Sequence, residues 1–177
     1  MFLPHTFQEL AALIDQTNLK PDATRAEMTA YLQDVRAHGY ASAAILPTWT
    51  ELAAGILSGS GIAVDPAIGF PFGANPTTAK VAEVRWCLER SRERTEFDMV
   101  MALGLFKSGE YQAVVEDIRA VVQAAEGRMV KVIIETPALT PQEIVTASRL
   151  VEEAGALVKA LQRGFASQGP CLIEVLL

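Results

Sequence analysis

The chain has 177 residues, half of them hydrophobic, which is enough for one domain with a sizeable buried core. A formal net charge of −6 and the lack of a long basic cluster argue against a nucleic-acid-binding protein. The sequence shows no apolar run of the roughly 18 residues that a membrane helix needs, no recognisable signal peptide, and no metal-like spacing of its two cysteines. We therefore expect a cytoplasmic protein that binds neither nucleic acid nor a membrane.

Short apolar runs alternate with amphipathic helical patterns along the chain. The predicted strands are residues 13–17, 41–46, 61–70, 97–103, 129–135 and 156–161. The predicted helices are residues 7–13, 24–39, 48–57, 111–125 and 141–154, together with a long helix that begins at 77 or 78, and a loop is predicted at 104–109. The chain thus carries about six consecutive β–α units.

Near-continuous apolar strands separated by helices indicate a parallel sheet that is covered by helices. Two architectures fit this alternation: an open doubly wound sheet, and a (β/α)8 barrel with its chemistry on the loops after the strands. Neither a Gly-x-Gly-x-x-Gly nor a Walker motif follows a predicted strand, which argues against a nucleotide-binding sheet.

Three of the ionisable residues inside predicted strands are candidates for chemistry: Asp98, Lys131 and Lys159. Burial lowers the pKa of a lysine, and a neutral amine can attack a carbonyl to form a Schiff base. Either lysine could be the nucleophile while the other lowers its pKa by charge repulsion. Asp98 is then a candidate proton acceptor and donor. The alternative is that these residues form structural ion pairs inside a barrel, with Glu135 as a further partner.

Asp15 and the segment 69–75 are further candidates. Asp15 lies at the end of an apolar stretch, where capping of the turn before Pro21 is the simpler interpretation. The segment 69–75 follows a predicted strand, and its two glycines would allow a ligand to approach the backbone closely. A tight turn is the commoner reason for glycines in such a loop.

Four segments, in this order and spacing, resemble the deoxyribose-phosphate aldolase family. They read IDQTNLKPDAT at 14–24, IGFPFGAN at 68–75, EFDMV at 96–100 and VKVIIET at 130–136. The resemblance extends from about Leu10 to Phe165.

The resemblance implies a TIM (β/α)8-barrel and a class I lyase that needs neither a metal nor an organic cofactor. The implied reaction is the reversible cleavage of 2-deoxy-D-ribose 5-phosphate to D-glyceraldehyde 3-phosphate and acetaldehyde. The resemblance also implies that Lys159 forms the Schiff base and that Asp98 shuttles protons. Lys131 would lie close to the reacting centre, and Asp15 would help place a substrate hydroxyl or a water. The implied partner is a small phosphorylated sugar, and a homo-oligomer is one possible assembly.

The chain departs from the family pattern at several positions. Members of the family usually read Lys-Thr-Ser-Thr-Gly after the sixth strand, whereas here Lys159 is followed by ALQRGF at 160–165, so the small hydroxylated residues that help line the phosphate site are missing. Gln16 stands in place of a usual His, Pro137 in place of Gly, and Ala44 where Cys is common.

The family pattern continues beyond the length of this chain. We expect a single aldolase-type domain over 1–177 that lacks the last two βα units and is therefore an incomplete barrel, with a divergent apolar tail at 166–177. The alternative to an aldolase is a catalytically inactive truncated remnant that acts, if at all, through association. A third interpretation is a different Schiff-base aldolase on the same barrel.

Overall fold

A computed structural model of the chain describes residues 4–91 and 94–158. Lys159 and the predicted tail at 166–177 lie outside the described residues. The strands are β1 Asp15–Asn18, β2 Ser42–Ile45, β3 Ala63–Ile68, β4 Phe97–Val100, β5 Val130–Ile133 and β6 Leu157–Val158. The α-helices are α1 Phe7–Ala11, α2 Arg25–His38, α3 Thr50–Leu57, α4 Thr77–Arg90, α5 Leu103–Lys107, α6 Tyr111–Ala124 and α7 Pro141–Glu153. Two short 3-10 helices cover Pro47–Trp49 and Thr136–Ala138.

The six strands form one parallel sheet in the order β1-β2-β3-β4-β5-β6. Each strand lies beside its neighbour in sequence, so the chain winds around in one direction without the reversal that defines a doubly wound sheet. This is the strand order of a (β/α) barrel. Among the described strands, β1 pairs only with β2 and β6 only with β5, so these six strands form an incomplete barrel.

Three of the helices begin with a reciprocal cap that is visible in the sequence as Thr-x-x-Glu. Thr6, Thr24 and Thr140 each accept a hydrogen bond from the backbone N–H of the glutamate three residues later. That glutamate in turn accepts a bond from the backbone N–H of the threonine. The caps satisfy donors that the first helical turn leaves unpaired, and they fix where α1, α2 and α7 begin.

Alternation along the strands separates an apolar outer layer from a charged inner face. Phe97 and Met99 of β4 and Val130 and Val132 of β5 belong to a core cluster that packs under α4, α6 and α7. A second cluster joins β2 and β3 to α2 and α3. The residues between these apolar positions therefore face the inside of the curved sheet. None of the helices in the described ranges is long and apolar enough to cross a membrane.

The structure differs from the sequence-based expectation after β4. The predicted strand at 97–103 ends at Val100, and most of the predicted loop at 104–109 is the helix α5. Phe106 explains the helix, because its side chain is only 2% exposed and packs into the core beside α6. On α4, Trp86 is 37% exposed, and the Arg90 guanidinium lies over its ring.

A buried ion pair holds the outer layer against the end of β4. Lys80 of α4 has no exposed surface, and its Nζ lies 2.6 Å from Oδ2 of Asp117 on α6. The same Nζ donates to the carbonyl oxygen of Val100 at 3.2 Å. Thr77 donates its hydroxyl to the other Asp117 oxygen at 2.7 Å. The pair thus joins two helices to the carboxyl end of the strand that carries Asp98.

The segment 69–75 packs directly onto the same end of β4. The aliphatic stem of Lys80 lies beneath Gly69, whose backbone N–H donates to the Glu83 carboxylate at 2.8 Å. At Gly73 the chain has a φ of +63°, and a Cβ there would lie 2.1 Å from the carbonyl oxygen of Met101. Gly73 therefore allows the loop backbone to pack closely against the end of β4.

We predict that Gly73→Ala destabilises the protein by more than about 2 kcal/mol, because it adds a backbone clash to the left-handed strain of an L-residue. Urea unfolding followed by circular dichroism measures the change. Gly104→Ala is the matched control, since a Cβ at this helical glycine meets nothing within 4 Å. The control is expected to be neutral or stabilising by up to about 1 kcal/mol. Equal stability of the two variants would contradict the packing described here.

Candidate active site

The inner face of the sheet carries a cluster of ionisable side chains, which we call the inner charged cluster. Its members are Asp15 of β1, Asp65 of β3, Glu96 just before β4, Asp98 of β4 and Lys131 of β5. Strand alternation directs these residues away from the apolar outer layer. Residues that are far apart in sequence therefore come together in one place.

The Lys131 ammonium is the centre of this cluster. Its Nζ lies 2.7 Å from Oδ2 of Asp65 and 2.8 Å from Oδ2 of Asp15. Two further carboxylates stand slightly farther away, with Oε1 of Glu96 at 3.5 Å and Oδ1 of Asp98 at 3.6 Å. The Lys131 side chain is 10% exposed, so a single cation is shared among four carboxylates with little access to water.

The electrostatics of the cluster favour a charged lysine. Burial lowers the pKa of Lys131, but attraction by Asp65, Asp98, Asp15 and Glu96 outweighs burial and raises the pKa above its ordinary range. Lys131 is therefore an ammonium at neutral pH, with no lone pair to attack a carbonyl.

Glu96 has the opposite balance. Burial raises the pKa of its carboxyl group, and the nearby negative charges of Asp65 and Asp15 raise it further, against the opposing effect of Lys131. The pKa of the Glu96 carboxyl group is therefore higher than that of an exposed glutamate.

Ser42 links the two carboxylates that lie closest to Lys131. Its hydroxyl is within 2.8 Å of Oδ1 of Asp15 and 3.3 Å of Oδ2 of Asp65. A hydroxyl has one proton to donate, and the shorter distance favours Asp15. Ser42 is the direct register partner of Asp15 across β1 and β2, which is why its side chain reaches this carboxylate.

Three of the residues singled out in the sequence meet in this cluster: Asp15, Asp98 and Lys131. The Asp15 side chain, for which capping of the turn before Pro21 was the simpler interpretation, contacts Lys131 and Ser42. Glu135, the other expected partner of a strand lysine, follows β5 in a left-handed conformation with a φ of 57°. Lys159 follows Val158 and lies outside the described residues.

Sequence reasoning missed Asp65 and Glu96. Asp65 is completely buried and Glu96 is 7% exposed. One signal was available, since Asp65 stands inside the apolar strand Ala63–Ile68 just as Asp98 stands inside its own strand. Glu96 precedes Asp98 by two residues, the spacing that puts two strand residues on the same face.

Three of the carboxylates also have the spacing of a metal site. One oxygen each of Asp15, Asp65 and Glu96 lie within 4.8 Å of one another. The Lys131 ammonium, however, is in contact with all three residues, so a metal ion would have to displace a cation that is already in place. The residues fit an ammonium better than a divalent ion, which would also repel Lys131.

A parallel sheet wound in sequence order, with a lysine and several carboxylates on its inner face, defines a (β/α)-barrel protein with a buried charged cluster. No protein-family model matches the chain. The chain is 40% identical over 169 residues to the deoxyribose-phosphate aldolase of Streptococcus sanguinis, covering 96% of this chain and 76% of the relative. The chain therefore belongs to the deoxyribose-phosphate aldolase family, a family of lyases.

Solved structures agree with this assignment. A protein of Coccidioides immitis described as a deoxyribose-phosphate aldolase superposes with a TM-score of 0.82 at 32% identity, covering 88% of this chain and 60% of that protein. The tetrameric deoxyribose phosphate aldolase of Aeropyrum pernix gives a TM-score of 0.78 at 29% identity, covering 86% of this chain and 64% of that protein. The chain thus spans about three-quarters of the Streptococcus relative and under two-thirds of these solved chains.

We predict that Lys131→Met destabilises the protein by more than about 3 kcal/mol near pH 7.5, because it leaves buried carboxylates without their cation. The remaining carboxyl groups should take up protons at a higher pH in the folded than in the unfolded state. The folded variant then binds more protons, so its stability falls as the pH rises from about 5 to about 8.

Urea unfolding of the wild type and the variant at both pH values measures this dependence. Lys107→Met is the control, because Lys107 pairs with Glu143 on the surface, at 2.8 Å with 40% of its side chain exposed. The control should lose little stability at either pH. A Lys131→Met variant with the pH dependence of the wild type would contradict the shared-cation arrangement.

Proposed function

We propose that this protein is a class I aldolase that reversibly cleaves 2-deoxy-D-ribose 5-phosphate into D-glyceraldehyde 3-phosphate and acetaldehyde. The observation that carries the proposal is the 40% identity to a deoxyribose-phosphate aldolase over 96% of this chain. The inner charged cluster supports the proposal, because carbon–carbon cleavage of this kind needs groups that accept and return protons.

We assign the Schiff base to Lys159, the lysine that matches the family's nucleophile. The state of Lys131 supports this choice, because an ammonium held by four carboxylates is a poor nucleophile. Lys80 is a poor candidate for a similar reason, since it is fully buried and paired with Asp117 in the outer layer. In sequence Lys159 directly follows β6, the neighbour of the strand that carries Lys131.

The proposed reaction begins when the neutral amine of Lys159 adds to the C1 aldehyde of the open-chain sugar. Loss of water gives an iminium ion, which can accept an electron pair. A base removes the proton of the C3 hydroxyl, the C2–C3 bond breaks, and D-glyceraldehyde 3-phosphate leaves. The enamine that remains takes up a proton at C2, and hydrolysis of the resulting iminium releases acetaldehyde and regenerates the amine.

We assign the proton transfers to Asp98, directly or through one water. Lys131 is the register partner of Asp98 on β5, so its fixed positive charge lies beside the group that exchanges protons. Such a charge favours the ionised form of a carboxylate and would also stabilise an oxyanion of the substrate. Asp15, which is bound to Lys131 and is 23% exposed, would orient a substrate hydroxyl or a water.

We further propose that the protein acts as a homo-oligomer in the cytoplasm on a small phosphorylated sugar. The tetrameric assembly named for the Aeropyrum relative supports the proposal of a homo-oligomer. The alternative of a catalytically inactive remnant has no support in the comparisons, since the relatives reported above are named as aldolases.

We predict that the protein releases acetaldehyde from 2-deoxy-D-ribose 5-phosphate and that Lys159→Ala lowers this activity by at least about a thousandfold. A coupled assay with alcohol dehydrogenase follows the acetaldehyde. Borohydride reduction in the presence of acetaldehyde should leave a two-carbon adduct on Lys159, identified by intact mass and peptide mapping.

Lys107→Ala is the control, because it removes an exposed lysine that pairs with Glu143 and does not belong to the inner charged cluster. This variant should retain both turnover and the adduct. No turnover by the wild type, or adducts scattered over many lysines, would refute the proposed function. An adduct on Lys131 alone would refute the assignment of the nucleophile.

A further inference from the structure

Asp65 has no role in the reaction proposed above, yet it makes the shortest contact in the inner charged cluster. Its carboxylate is completely buried, and Oδ2 lies 2.7 Å from the Lys131 ammonium. A charge buried to this extent requires a close counter-charge. Within the described part of the chain, the Lys131 ammonium supplies this counter-charge.

The strand register makes this contact informative. Lys131 on β5 is the direct partner of Asp98 on β4, so Asp98 is the nearest carboxylate along the sheet. Asp65 belongs to β3, one strand farther away, where it pairs with Ala44 of β2. Even so, the Lys131 ammonium lies 3.6 Å from Asp98 and only 2.7 Å from Asp65. The side chain therefore extends past its neighbour towards the far side of the cluster.

We propose that Asp65 is a positioning residue that anchors the Lys131 ammonium beside Asp15 and so sets its distance from Asp98. The effect on catalysis rests on the proposed function. The anchoring of Lys131 by Asp65 is independent of that function. The charged groups that face Lys131 within the described residues are Asp15 from β1, Asp65 from β3, and Glu96 and Asp98 from the β4 segment. The neighbouring strand β2 contributes the neutral Ser42.

Without the Asp65 charge, Lys131 would lose its closest partner and keep three others. The ammonium would then be held less tightly and would move towards its register partner Asp98. A closer cation favours the ionised form of Asp98. In an aldolase that uses this carboxylate as its base, the acidic limb of the pH–rate profile would shift to lower pH.

The test is reductive methylation of the folded protein with formaldehyde and dimethylamine-borane, with the rate at each lysine read by peptide mapping. Only a neutral amine reacts, so the rate at Lys131 reports how firmly its charge is held. Asp65→Asn and Asp65→Ser should each increase methylation of Lys131 by about tenfold or more, the effect of one pKa unit. The exposed Lys107 serves as the internal reference.

Asp117→Asn is the matched control, because it neutralises the other buried carboxylate that is paired with a lysine. It should leave the methylation rate of Lys131 unchanged. In parallel, kcat/KM for 2-deoxy-D-ribose 5-phosphate is measured across pH, where the Asp65 variants should move the acidic limb down by about one unit.

An unchanged Lys131 methylation rate in folded Asp65 variants would overturn the anchoring, and so would an equal rise in Asp117→Asn. The same holds if neither Asp65 variant folds, since three carboxylates should still suffice to keep Lys131 charged in a folded protein. Faster methylation with an unmoved acidic limb would overturn the catalytic consequence alone. If the wild type has no aldolase activity, the methylation result still decides the anchoring, and the proposed function fails separately.

Discussion

The inner face of this sheet depends on one ammonium group shared among four carboxylates. Taking a single ion pair out of water costs several kcal/mol per ion. One opposite charge at about 4 Å returns roughly 4 kcal/mol at an effective dielectric constant of about 20. A single partner would therefore barely offset the burial of Lys131, whereas several partners reverse the balance and raise its pKa. The carboxylates depend on the same cation, so the loss of Lys131 would affect all four of them.

This arrangement separates two tasks that a Schiff-base aldolase must perform. The nucleophile must be a neutral amine, while the proton-transfer site benefits from a fixed positive charge. The surroundings of Lys131 suit a fixed positive charge and do not suit a neutral amine nucleophile. Lys159 follows the neighbouring strand β6 and is the residue to which we assign the first task. Two lysines on adjacent β–α units can thus have opposite roles because their surroundings differ.

A second buried ion pair holds two helices against the outside of the sheet. Lys80 and Asp117 connect α4 and α6, and the Lys80 ammonium also binds the carbonyl of Val100 at the carboxyl end of β4. Val100 is two residues beyond Asp98 on the same strand. The outer pair and the inner cluster therefore hold the same strand from opposite faces, and the position of Asp98 depends on both.

The sequence was sufficient for much of the fold and for part of the site. Alternation of apolar runs and helical patterns located the six strands that the structure describes, and the contact between Asp98 and Lys131 was foreseen because both are charged residues inside apolar strands. Asp65 and Glu96 were missed, because their closeness to Lys131 depends on strand register and on how far one side chain reaches. The burial of Lys80 was not foreseen either, since its partner Asp117 lies 37 residues away on another helix.

The helix α5 shows a further limit of sequence patterns. It has five residues, one of them Gly104, and Ser108 and Gly109 follow it, so the local pattern resembles a loop. Helices this short have little stability of their own. Burial of Phe106 against α6 supplies what the local sequence lacks, and such a tertiary contact cannot be read from a window of the sequence.

The measurement that tests the central claim most directly is the ionisation state of Lys131 in the folded wild-type protein. Nitrogen-15 NMR of the lysine side chains, with Lys131 assigned by its absence in Lys131→Arg, gives this state as a function of pH. We expect Lys131 to remain an ammonium from about pH 6 to about pH 10, where ordinary lysines begin to lose their proton. Loss of the proton below about pH 9 would show that the four carboxylates do not hold a fixed cation, and the account of the site would be wrong.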